Sequence, residues 1–407
     1  MPRSTKAQLG RSLSLWAAAV VTALGAQRLL VTRQVQVALL LYALACLFVV
    51  ASSFTLSESG LPAFTASFQA RANPRSWLKA AGLALLAAGC ASLLASLGLL
   101  VASQTSTFAL PLWVAALLFL PLGLILRHGP PWRVKASGLV WPEILLLGAI
   151  LAVGILLRSW NLASIPADVH GDEAAIGLAA RQILHGGVAN VFGTGWASLP
   201  QLSFSPYALS LRLFGDDLFG LRVASVVQGS LSIALLYGVG RRLFSARVAA
   251  IAAFLLAVSQ MAIHYSRIGN NYVSALFASL LLFYFLLRAL DEGHPVDYLF
   301  TGFAAGITLN VYYAARIAPL LGALYCLHRI LGERGFLARH WRGFGILVAG
   351  SLVFAAPQLV FYAHNSAPFT NRAAAVFLFR PENLAHQYSA DQVHTLAELM
   401  WRQFIRS

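Results

Sequence analysis

The chain has 407 residues, of which 59% are apolar and 11% are charged, and its formal net charge is +15. Soluble domains have about 25% charged residues, and one of this length could not bury so much apolar surface. The composition therefore excludes an ordinary soluble protein and indicates an all-α polytopic membrane protein. The basic residues are scattered between apolar runs rather than gathered in one patch, which excludes a nucleic-acid partner and favours contact with membrane lipids.

Eleven apolar runs are predicted to cross the membrane as helices, since a span needs about 20 residues. The first run has some features of a signal peptide, but Leu24 stands where a small residue is expected before a cleavage site, so an uncleaved span is favoured. Two of the runs, 298–314 and 316–331, are short for a span. The predicted spans are 12–31, 34–56, 77–102, 109–126, 142–160, 218–240, 248–267, 271–290, 298–314, 316–331 and 343–363.

The positions of Lys and Arg predict which ends of the spans face the cytoplasm. With the N-terminus inside, 17 of the 29 basic residues lie in the inside segments, and the short outside link 103–108 has none. This is the bias of the positive-inside rule, although Arg28 and Arg33 oppose it. It predicts a multi-pass protein of a bacterial cytoplasmic membrane, with the long segment 161–217 on the outer face.

The chain also ends on the outer face in this topology. Leu396, Met400 and Phe404 recur at helical spacing in the stretch 392–405, which predicts a helix lying flat on the membrane. Because no further domain follows, we expect the end at Ser407 to be a truncation.

The three cysteines give no sign of a disulfide or a metal site. Cys46, Cys90 and Cys326 each lie inside an apolar run, where a cysteine behaves as a small buried apolar residue. The sequence also lacks a dinucleotide-binding fingerprint, a P-loop and a zinc motif. No cofactor is therefore predicted, and a divalent metal is not indicated.

The outer loop 161–217 contains two adjacent carboxylates, Asp172 and Glu173, in a chain that has only 14 acidic residues. From Asp172 to Leu184 the apolar residues follow helical spacing, and two glycines then end the pattern, so a short helix is predicted at the membrane surface. Asp172 could be its N-cap and Glu173 a first-turn acid, because both positions favour negative charge. Alternatively, a carboxylate could stand at the mouth of a membrane cavity as a base or ligand. Asp216 and Asp217 are predicted to form a turn and a helix start.

Several stretches occur in an order that resembles the glycosyltransferase family 39 proteins of the GT-C superfamily. Those are membrane enzymes that take a sugar from a polyprenyl-phosphate carrier, and they include protein O-mannosyltransferases and aminoarabinose transferases. The resemblance covers about residues 142–390. The stretches that carry it are Leu-Arg-Ser-Trp-Asn-Leu (157–162), His-Gly-Asp-Glu (170–173), Leu-Phe-Gly-Asp-Asp-Leu-Phe-Gly-Leu-Arg (213–222), Gly-Arg-Arg-Leu-Phe (240–244), His-Tyr-Ser-Arg-Ile-Gly (264–269), Tyr-Tyr-Ala-Ala-Arg (312–316) and Ala-Pro-Gln-Leu-Val-Phe-Tyr-Ala-His (356–364).

The resemblance implies a GT-C-type bundle of membrane helices with a long first outer loop that carries short interfacial helices. It divides the chain into an accessory membrane region of about four spans, 1–140, and a catalytic membrane module, 141–407. It also implies an activity, in which a sugar moves from a polyprenyl-phosphate donor to an acceptor hydroxyl on the outer face with inversion. The partners are then the lipid-linked donor and a protein, glycan or lipid acceptor.

Carried over to this sequence, the family pattern makes Asp172 the catalytic base. Glu173 would orient the site or contact the acceptor, and His170 would hold Asp172 or meet the phosphate. A base is needed for the acceptor hydroxyl, and cations are needed for the departing phosphate.

Two arginines at the outer ends of spans are candidates for binding the phosphate. Arg267 follows His264 and Tyr265, and Arg316 follows Tyr313. A guanidinium can hold phosphate oxygens by two hydrogen bonds. The alternative for each is an interfacial arginine beside tyrosine, which is common in membrane proteins.

Two positions depart from the pattern of the family. Some branches have an acidic residue in the second outer loop, where this chain has Gly269-Asn270-Asn271. The amides of Asn270 and Asn271 could bind sugar hydroxyls but are poor metal ligands. Some branches have Lys-Pro in the first loop, where this chain has Ser205-Pro206. Both departures leave the donor sugar open and count against aminoarabinose transfer.

A transporter or flippase is the main alternative, and a non-catalytic membrane protein is another. Ion-coupled carriers place ionisable groups within their spans, whereas no Asp or Glu lies in the middle of a predicted span here. The sequence also shows no inverted repeat of the broken-helix type. These features favour the enzyme.

Overall fold

The computed structural model describes residues 76–131, 141–365 and 395–406, together with the isolated positions 18, 21, 22, 381, 384, 385 and 389. The predicted spans 12–31 and 34–56 lie outside these ranges, apart from single positions. Within the described ranges the chain is helical and forms no β-strand, and its one isolated bridge joins Thr194 to Pro200. The prediction of an all-α polytopic membrane protein is therefore confirmed.

The described ranges contain thirteen α-helices and three short 3₁₀ helices. The 3₁₀ helices are Trp196–Ser198, Gln201–Phe204 and Tyr313–Arg316. The α-helices are α1 (Ser76–Ser103), α2 (Ala109–His128), α3 (Trp141–Ser159), α4 (Gly171–Leu184), α5 (Ser205–Phe214), α6 (Leu218–Leu243), α7 (Ala246–Val258), α8 (Gln260–Arg267), α9 (Tyr272–Glu292), α10 (Pro295–Leu309), α11 (Ile317–Gly332), α12 (Phe336–His364) and α13 (Leu396–Arg406).

Nine of the eleven predicted spans fall within the described ranges. Seven of them correspond to helices long and apolar enough to cross a bilayer: α1, α2, α3, α6, α9, α11 with its preceding 3₁₀ turn, and α12. The predicted span 248–267 is a broken one, because α7 and α8 meet at Ser259 with a bend of 55°. There the Ser259 hydroxyl accepts from Ala262 N and starts a new helix.

The predicted span 298–314 forms as α10, which has only 15 residues. It begins at Pro295, where His294 caps the helix, and it ends before Asn310. At 1.5 Å per residue this helix is about 22 Å long, which is shorter than the hydrocarbon layer of about 30 Å. It packs between α9 and α12, so neighbouring helices cover most of its surface.

Glycines allow α10 and α12 to approach each other closely. A Cβ added at Gly302 would lie 2.2 Å from Leu347 O, and one added at Gly350 would lie 2.8 Å from Leu299 O. Small residues permit this contact between membrane helices, where dispersion forces replace the hydrophobic effect as the main attraction.

Successive spans alternate in direction, so the long loop 160–217 lies at the end of the bundle where α3 and α8 end and where α6 and α9 begin. This end is called the loop end below. The predicted helix from Asp172 to Leu184 forms as α4, and Gly186 follows it with a φ of 73°. The predicted helix start at Asp217 is also confirmed, since its carboxylate accepts from Gly220 N at 2.8 Å.

The long loop has a hydrophobic core of its own. Ile176 of α4, Phe204 and Tyr207 are fully buried, and they pack with Leu221 of α6. The helix α5 packs against both α4 and α6. This cluster holds the N-terminus of α4, and with it Asp172 and Glu173, against the end of the bundle.

The described part of the predicted accessory region packs against the rest of the bundle. Trp113 of α2 makes edge-to-face contacts with Phe192 of the long loop and Phe354 of α12. Its indole N–H donates to Val353 O at 3.0 Å. The division at residue 140 stays a prediction, and so does the interfacial position of α13.

Candidate active site

Asp172 lies in the first turn of α4 and faces the loop end of the bundle. The N-cap is His170, whose Nδ1 accepts from Asp172 N at 3.2 Å. The interpretation of Asp172 as the N-cap is therefore wrong, because the helix begins one residue earlier, at Gly171. His170 Nδ1 lies 4.0 Å from Asp172 Oδ2, and the His170 side chain is 65% exposed.

The Asp172 carboxylate accepts a hydrogen bond from a residue that the sequence analysis did not select. The hydroxyl of Tyr272, the first residue of α9, donates to Asp172 Oδ2 at 2.6 Å. The Asp172 side chain is 27% exposed. It is therefore held in place and still accessible, as a general base must be.

Glu173 is the opposite case, because its side chain is completely buried. Arg222 donates to both of its oxygens, at 2.8 and 3.1 Å, and Gly269 N donates to Oε1 at 2.8 Å. Arg222 Nη1 also donates to the carbonyls of Leu162 and Pro166. The pair thus joins α4, α6, the start of the loop and the turn before α9, which fits the predicted orienting role. A fully buried Glu173 does not contact an acceptor in this conformation.

Arg267 faces into the protein rather than toward a ligand site. Its Nη1 donates to Leu157 O at 2.8 Å, and its Nη2 donates to the carbonyls of Trp160 and Ile165. The side chain is 5% exposed and caps the last carbonyls of α3. The prediction that Arg267 grips a phosphate is therefore not supported by its position, since its guanidinium is occupied by backbone oxygens.

A third arginine, Arg158, has a similar role. It is fully buried, and it donates to Ser266 Oγ and to the carbonyls of Gly154, Leu256 and Ala257. These carbonyls include those left open where α7 breaks from α8, and a buried carbonyl without a donor would cost free energy. Arg158 thereby stabilises the bend.

Three arginines are buried at the loop end. Arg158 and Arg267 form no ion pair with a described carboxylate, and Arg222 is matched by Glu173 alone. An arginine keeps its proton even when buried, and its charge favours an anion nearby. Of the three, Arg158 borders a cavity of about 280 Å³.

Four tyrosines form a row across the loop end, and the row leads from Asp172 to Arg316. Their rings meet edge to face, with centroids 5.4 Å apart for Tyr265 and Tyr272, 4.5 Å for Tyr272 and Tyr312, and 6.2 Å for Tyr312 and Tyr313. The guanidinium of Arg316 lies 4.5 Å from the centre of the Tyr313 ring. We call these four residues the tyrosine row.

The end of this row is joined to the long loop. The Tyr313 hydroxyl donates to Ser198 O at 2.9 Å. Arg316 lies beside the Tyr362 hydroxyl of α12 as well as over Tyr313. The structure therefore brings Tyr313 and Arg316 together with Tyr265 and Asp172, as the sequence analysis expected, whereas exposed His264 only touches the ring of Tyr265.

Asn270 and Asn271 are buried rather than exposed to solvent. Both are 1% exposed. Asn270 Oδ1 accepts from Tyr272 N at 3.0 Å, and Asn270 O accepts from the Tyr207 hydroxyl at 2.6 Å. Neither polar atom of the Asn271 amide has a hydrogen-bond partner among the described residues. Their predicted role in binding sugar hydroxyls is thus not supported, and Asn270 instead fixes Tyr272.

A second ion pair in the long loop is open to solvent. Arg181 Nε donates to Asp216 Oδ1 at 2.6 Å, and His185 Nε2 lies 3.7 Å from Asp216 Oδ2. The hydrogen bond from Arg181 lowers the pKa of Asp216 from its ordinary value. This pair links α4 to the turn before α6, but it is remote from the carboxylate of Asp172.

A cavity of about 280 Å³ borders the tyrosine row. Its lining is mostly apolar and comes from α3, α6, α7, α8 and α9, and it includes Tyr265, Tyr272 and Arg158. Within the described residues, no group of three or more Asp, Glu, His or Cys could hold a metal ion. The expectation that no metal is needed stays a prediction.

Three residues that shape the site had no role in the sequence analysis. Arg158 and Arg222 both lie within stretches that carry the family resemblance, so their positions in those stretches were an available signal. Tyr272 directly follows the two asparagines, at the predicted outer end of a span, and such tyrosines are usually interface anchors. Only the structure shows that its hydroxyl meets a carboxylate 100 residues earlier.

Comparison with known proteins supports the resemblance seen in the sequence. The model of the family described as dolichyl-phosphate-mannose-protein mannosyltransferase matches residues 203–362. An undecaprenyl phosphate-alpha-4-amino-4-deoxy-L-arabinose arabinosyl transferase of Pseudomonas savastanoi pv. phaseolicola is 26% identical over 165 residues. That alignment covers 38% of this chain and 31% of the relative, so the chain spans about a third of the length of the curated relative. No solved structure matches the chain.

The matched segment includes Tyr272, Tyr313 and Arg316 but begins after Asp172. The match to the family model therefore does not bear on residues 170–173. Over residues 203–362, the protein resembles the membrane glycosyltransferases of family 39 in the GT-C superfamily, as the order of its motifs predicts.

Proposed function

We propose that this protein is a membrane glycosyltransferase that moves a sugar from a polyprenyl-phosphate donor to an acceptor hydroxyl, with Asp172 as the base. One observation carries the proposal. Of the two adjacent carboxylates of the loop, Glu173 is locked in an ion pair, while Asp172 remains accessible beside a tyrosine row that ends at Arg316. The arrangement offers a base and a cation at the same end of the bundle.

The chemistry needs little more than these groups. The acceptor oxygen attacks the anomeric carbon as its proton passes to Asp172, and the bond between that carbon and the phosphate oxygen breaks. The phosphate leaves with the bonding electrons, and its developing charge is stabilised by cations. Attack in line with the leaving group inverts the anomeric carbon. Arg316 is the cation at the row, and the field of the buried arginines adds to it.

The lipid tail of such a donor needs an apolar surface that begins near the phosphate. The helix α11 starts immediately after Arg316, and a cavity of about 360 Å³ runs along it between α9, α10 and α12. Its lining includes Leu282, Leu286 and Leu327 and is almost entirely apolar. A prenyl chain in this cavity would leave its phosphate at the level of Arg316.

The predicted topology places this end of the bundle on the outer face of a bacterial cytoplasmic membrane. Carriers of this type present their sugars to acceptors there, and the acceptor can be a protein, a glycan or a lipid. The donor sugar and the acceptor class are left to experiment, because none of the described contacts distinguishes one sugar from another.

The decisive experiment is a transfer assay in membranes from the native host. Labelled polyprenyl-phosphate mannose and polyprenyl-phosphate arabinose are supplied separately, and release of free polyprenyl phosphate and label in the acceptor are both measured. Asp172→Asn should lower the rate by about 10²- to 10⁴-fold, which is the usual contribution of a general base. Asp168→Asn is the matched control, because Asp168 is an exposed acid four residues earlier in the same loop; it should retain the wild-type rate.

Two results would contradict the proposal. One is a wild-type protein that releases no polyprenyl phosphate from either donor. The other is an Asp172→Asn variant that transfers sugar as fast as Asp168→Asn. Movement of a lipid-linked substrate across vesicles, retained in Asp172→Asn, would instead support a flippase.

A further inference from the structure

We propose that Tyr272 is a positioning residue for Asp172: its hydroxyl engages Oδ2 and thereby assigns Oδ1 as the oxygen that takes the acceptor proton. This inference rests on the proposed function, since it concerns the same base. Tyr272 occupies the first position of α9, and Asp172 the first turn of α4, so the bond joins the loop to the bundle.

Tyr272 is well suited to hold a carboxylate at a fixed point. Its ring is packed edge to face between Tyr265 and Tyr312, with centroids 5.4 and 4.5 Å away. Its backbone N–H donates to Asn270 Oδ1 at 3.0 Å. The neighbouring rings fix the Tyr272 ring on both sides, and the buried Asn270 amide fixes its backbone. The hydroxyl therefore has little freedom, and the helix bundle, rather than the loop, sets the position of Asp172 Oδ2.

The remaining contacts of Asp172 leave one oxygen available. His170 Nδ1 lies 4.0 Å from Oδ2 and accepts from Asp172 N. Oδ1 makes no hydrogen bond with any described residue, and the side chain is 27% exposed. With Oδ2 engaged by the Tyr272 hydroxyl, Oδ1 is the oxygen that an acceptor hydroxyl can approach.

The test compares Tyr272→Phe with Tyr284→Phe, a control on the same helix three turns further along. Tyr272→Phe keeps the ring contacts and removes only the hydroxyl. We expect kcat for sugar transfer to fall by about 10- to 100-fold, as misplacement of a reacting group does, with KM for the donor unchanged. Tyr284→Phe should change neither kcat nor KM.

A second measurement does not require sugar transfer. Carbodiimides modify accessible carboxyl groups, so the rate at which Asp172 is labelled at one fixed pH can be followed by mass spectrometry. Asp172 is 27% exposed with Oδ2 held by the Tyr272 hydroxyl, so Tyr272→Phe should raise its labelling rate, whereas Tyr284→Phe should leave that rate unchanged. His170→Asn, which keeps a capping side chain, should leave the effect of Tyr272→Phe intact.

The outcomes separate the two proposals. If sugar transfer is absent but labelling of Asp172 is faster in Tyr272→Phe, the positioning bond stands and the glycosyltransferase function fails. If transfer is present and Tyr272→Phe matches Tyr284→Phe in both kcat and labelling rate, the positioning role fails. A variant that only loses thermal stability, with kcat and labelling rate unchanged, assigns Tyr272 a structural role and overturns the inference.

Discussion

The two ends of the helix bundle both hold arginines and carboxylates, but they use them differently. At the loop end the arginines are buried, and Arg267 and Arg158 bond backbone carbonyls and form no ion pair with a described carboxylate. At the opposite end, arginines pair with carboxylates, both in the interior, where Arg288 lies 3.1 Å from buried Asp297, and nearer the surface. Arg242 bonds both Asp291 and Glu292, at 2.8 and 2.7 Å, and the Asp291 side chain is 49% exposed.

The difference lies in what the arginines bind. Partly exposed ion pairs contribute little to stability. At the loop end, buried arginines bond the carbonyl groups of the loop and of the break between α7 and α8. Glu173 is engaged by Arg222, whereas the neighbouring Asp172 stays accessible, which is the condition that its proposed role requires.

The largest expected loss of stability that tests this contrast comes from breaking the buried Glu173–Arg222 ion pair. Glu173→Gln leaves Arg222 buried without a counter-charge, which costs about 3–5 kcal/mol. Both side chains are fully buried. We expect a strong fall in the thermal midpoint of the detergent-solubilised protein, measured by tryptophan fluorescence, or failure of the variant to accumulate.

The matched control for Glu173→Gln lies at the opposite end. Asp291→Asn removes a half-exposed carboxylate whose partner Arg242 keeps Glu292. Its expected cost is about 0–1 kcal/mol. Equal midpoints for the two variants would show that burial does not distinguish the ends.

A smaller effect is expected from Arg267→Lys. The ammonium group of lysine cannot reach the carbonyls of Leu157, Trp160 and Ile165 together, so buried carbonyls lose a donor at a cost of about 1–3 kcal/mol. The thermal midpoint should fall, whereas Arg242→Lys at the opposite end should cost less because that site is partly solvated. Both variants are compared by the same thermal melts.

The same variant tests the position of Arg267 in the site. If Arg267 gripped the donor phosphate, Arg267→Lys would raise KM for the donor while leaving the midpoint close to wild type. That result would restore the role predicted from the sequence and contradict the contacts described for its guanidinium.

The sequence predicted the positions of the helices better than the contacts of the polar side chains. Apolar runs located the spans because a bilayer demands about 20 apolar residues in a row. The helix from Asp172 to Leu184 followed from helical spacing ended by glycines. The break at Ser259 was missed, although the polar pair Ser259-Gln260 interrupts the apolar run and serine is a favoured N-cap.

The site shows where such prediction stops. Arg267 and Arg316 both end a tyrosine-containing stretch near a span boundary, yet the first bonds three carbonyls and the second lies over Tyr313. The carbonyl groups that Arg267 bonds belong to the end of α3 and to the loop that follows it, and backbone groups carry no sequence signal. The Asn270 side chain accepts from Tyr272 N through Oδ1, a contact that residue type alone does not predict.

The smallest expected change in stability comes from an ion pair that lies at the loop end but is exposed, so it distinguishes the effect of burial from the effect of location. The Arg181–Asp216 pair lies at the loop end but is exposed, with side chains 48% and 40% accessible. The pKa of Asp216 is lowered in the folded protein by the hydrogen bond from Arg181, so its contribution is present above the ordinary Asp value, about 3.9, and is lost as pH falls through the folded value. Asp216→Asn should therefore leave the thermal midpoint nearly unchanged at pH 7, and its small difference from wild type should vanish once the pH is below the lowered pKa of Asp216 in the folded protein. If Asp216→Asn destabilised the protein as much as Glu173→Gln, burial would not explain the strength of the Glu173–Arg222 pair. Location at the loop end would then explain it instead.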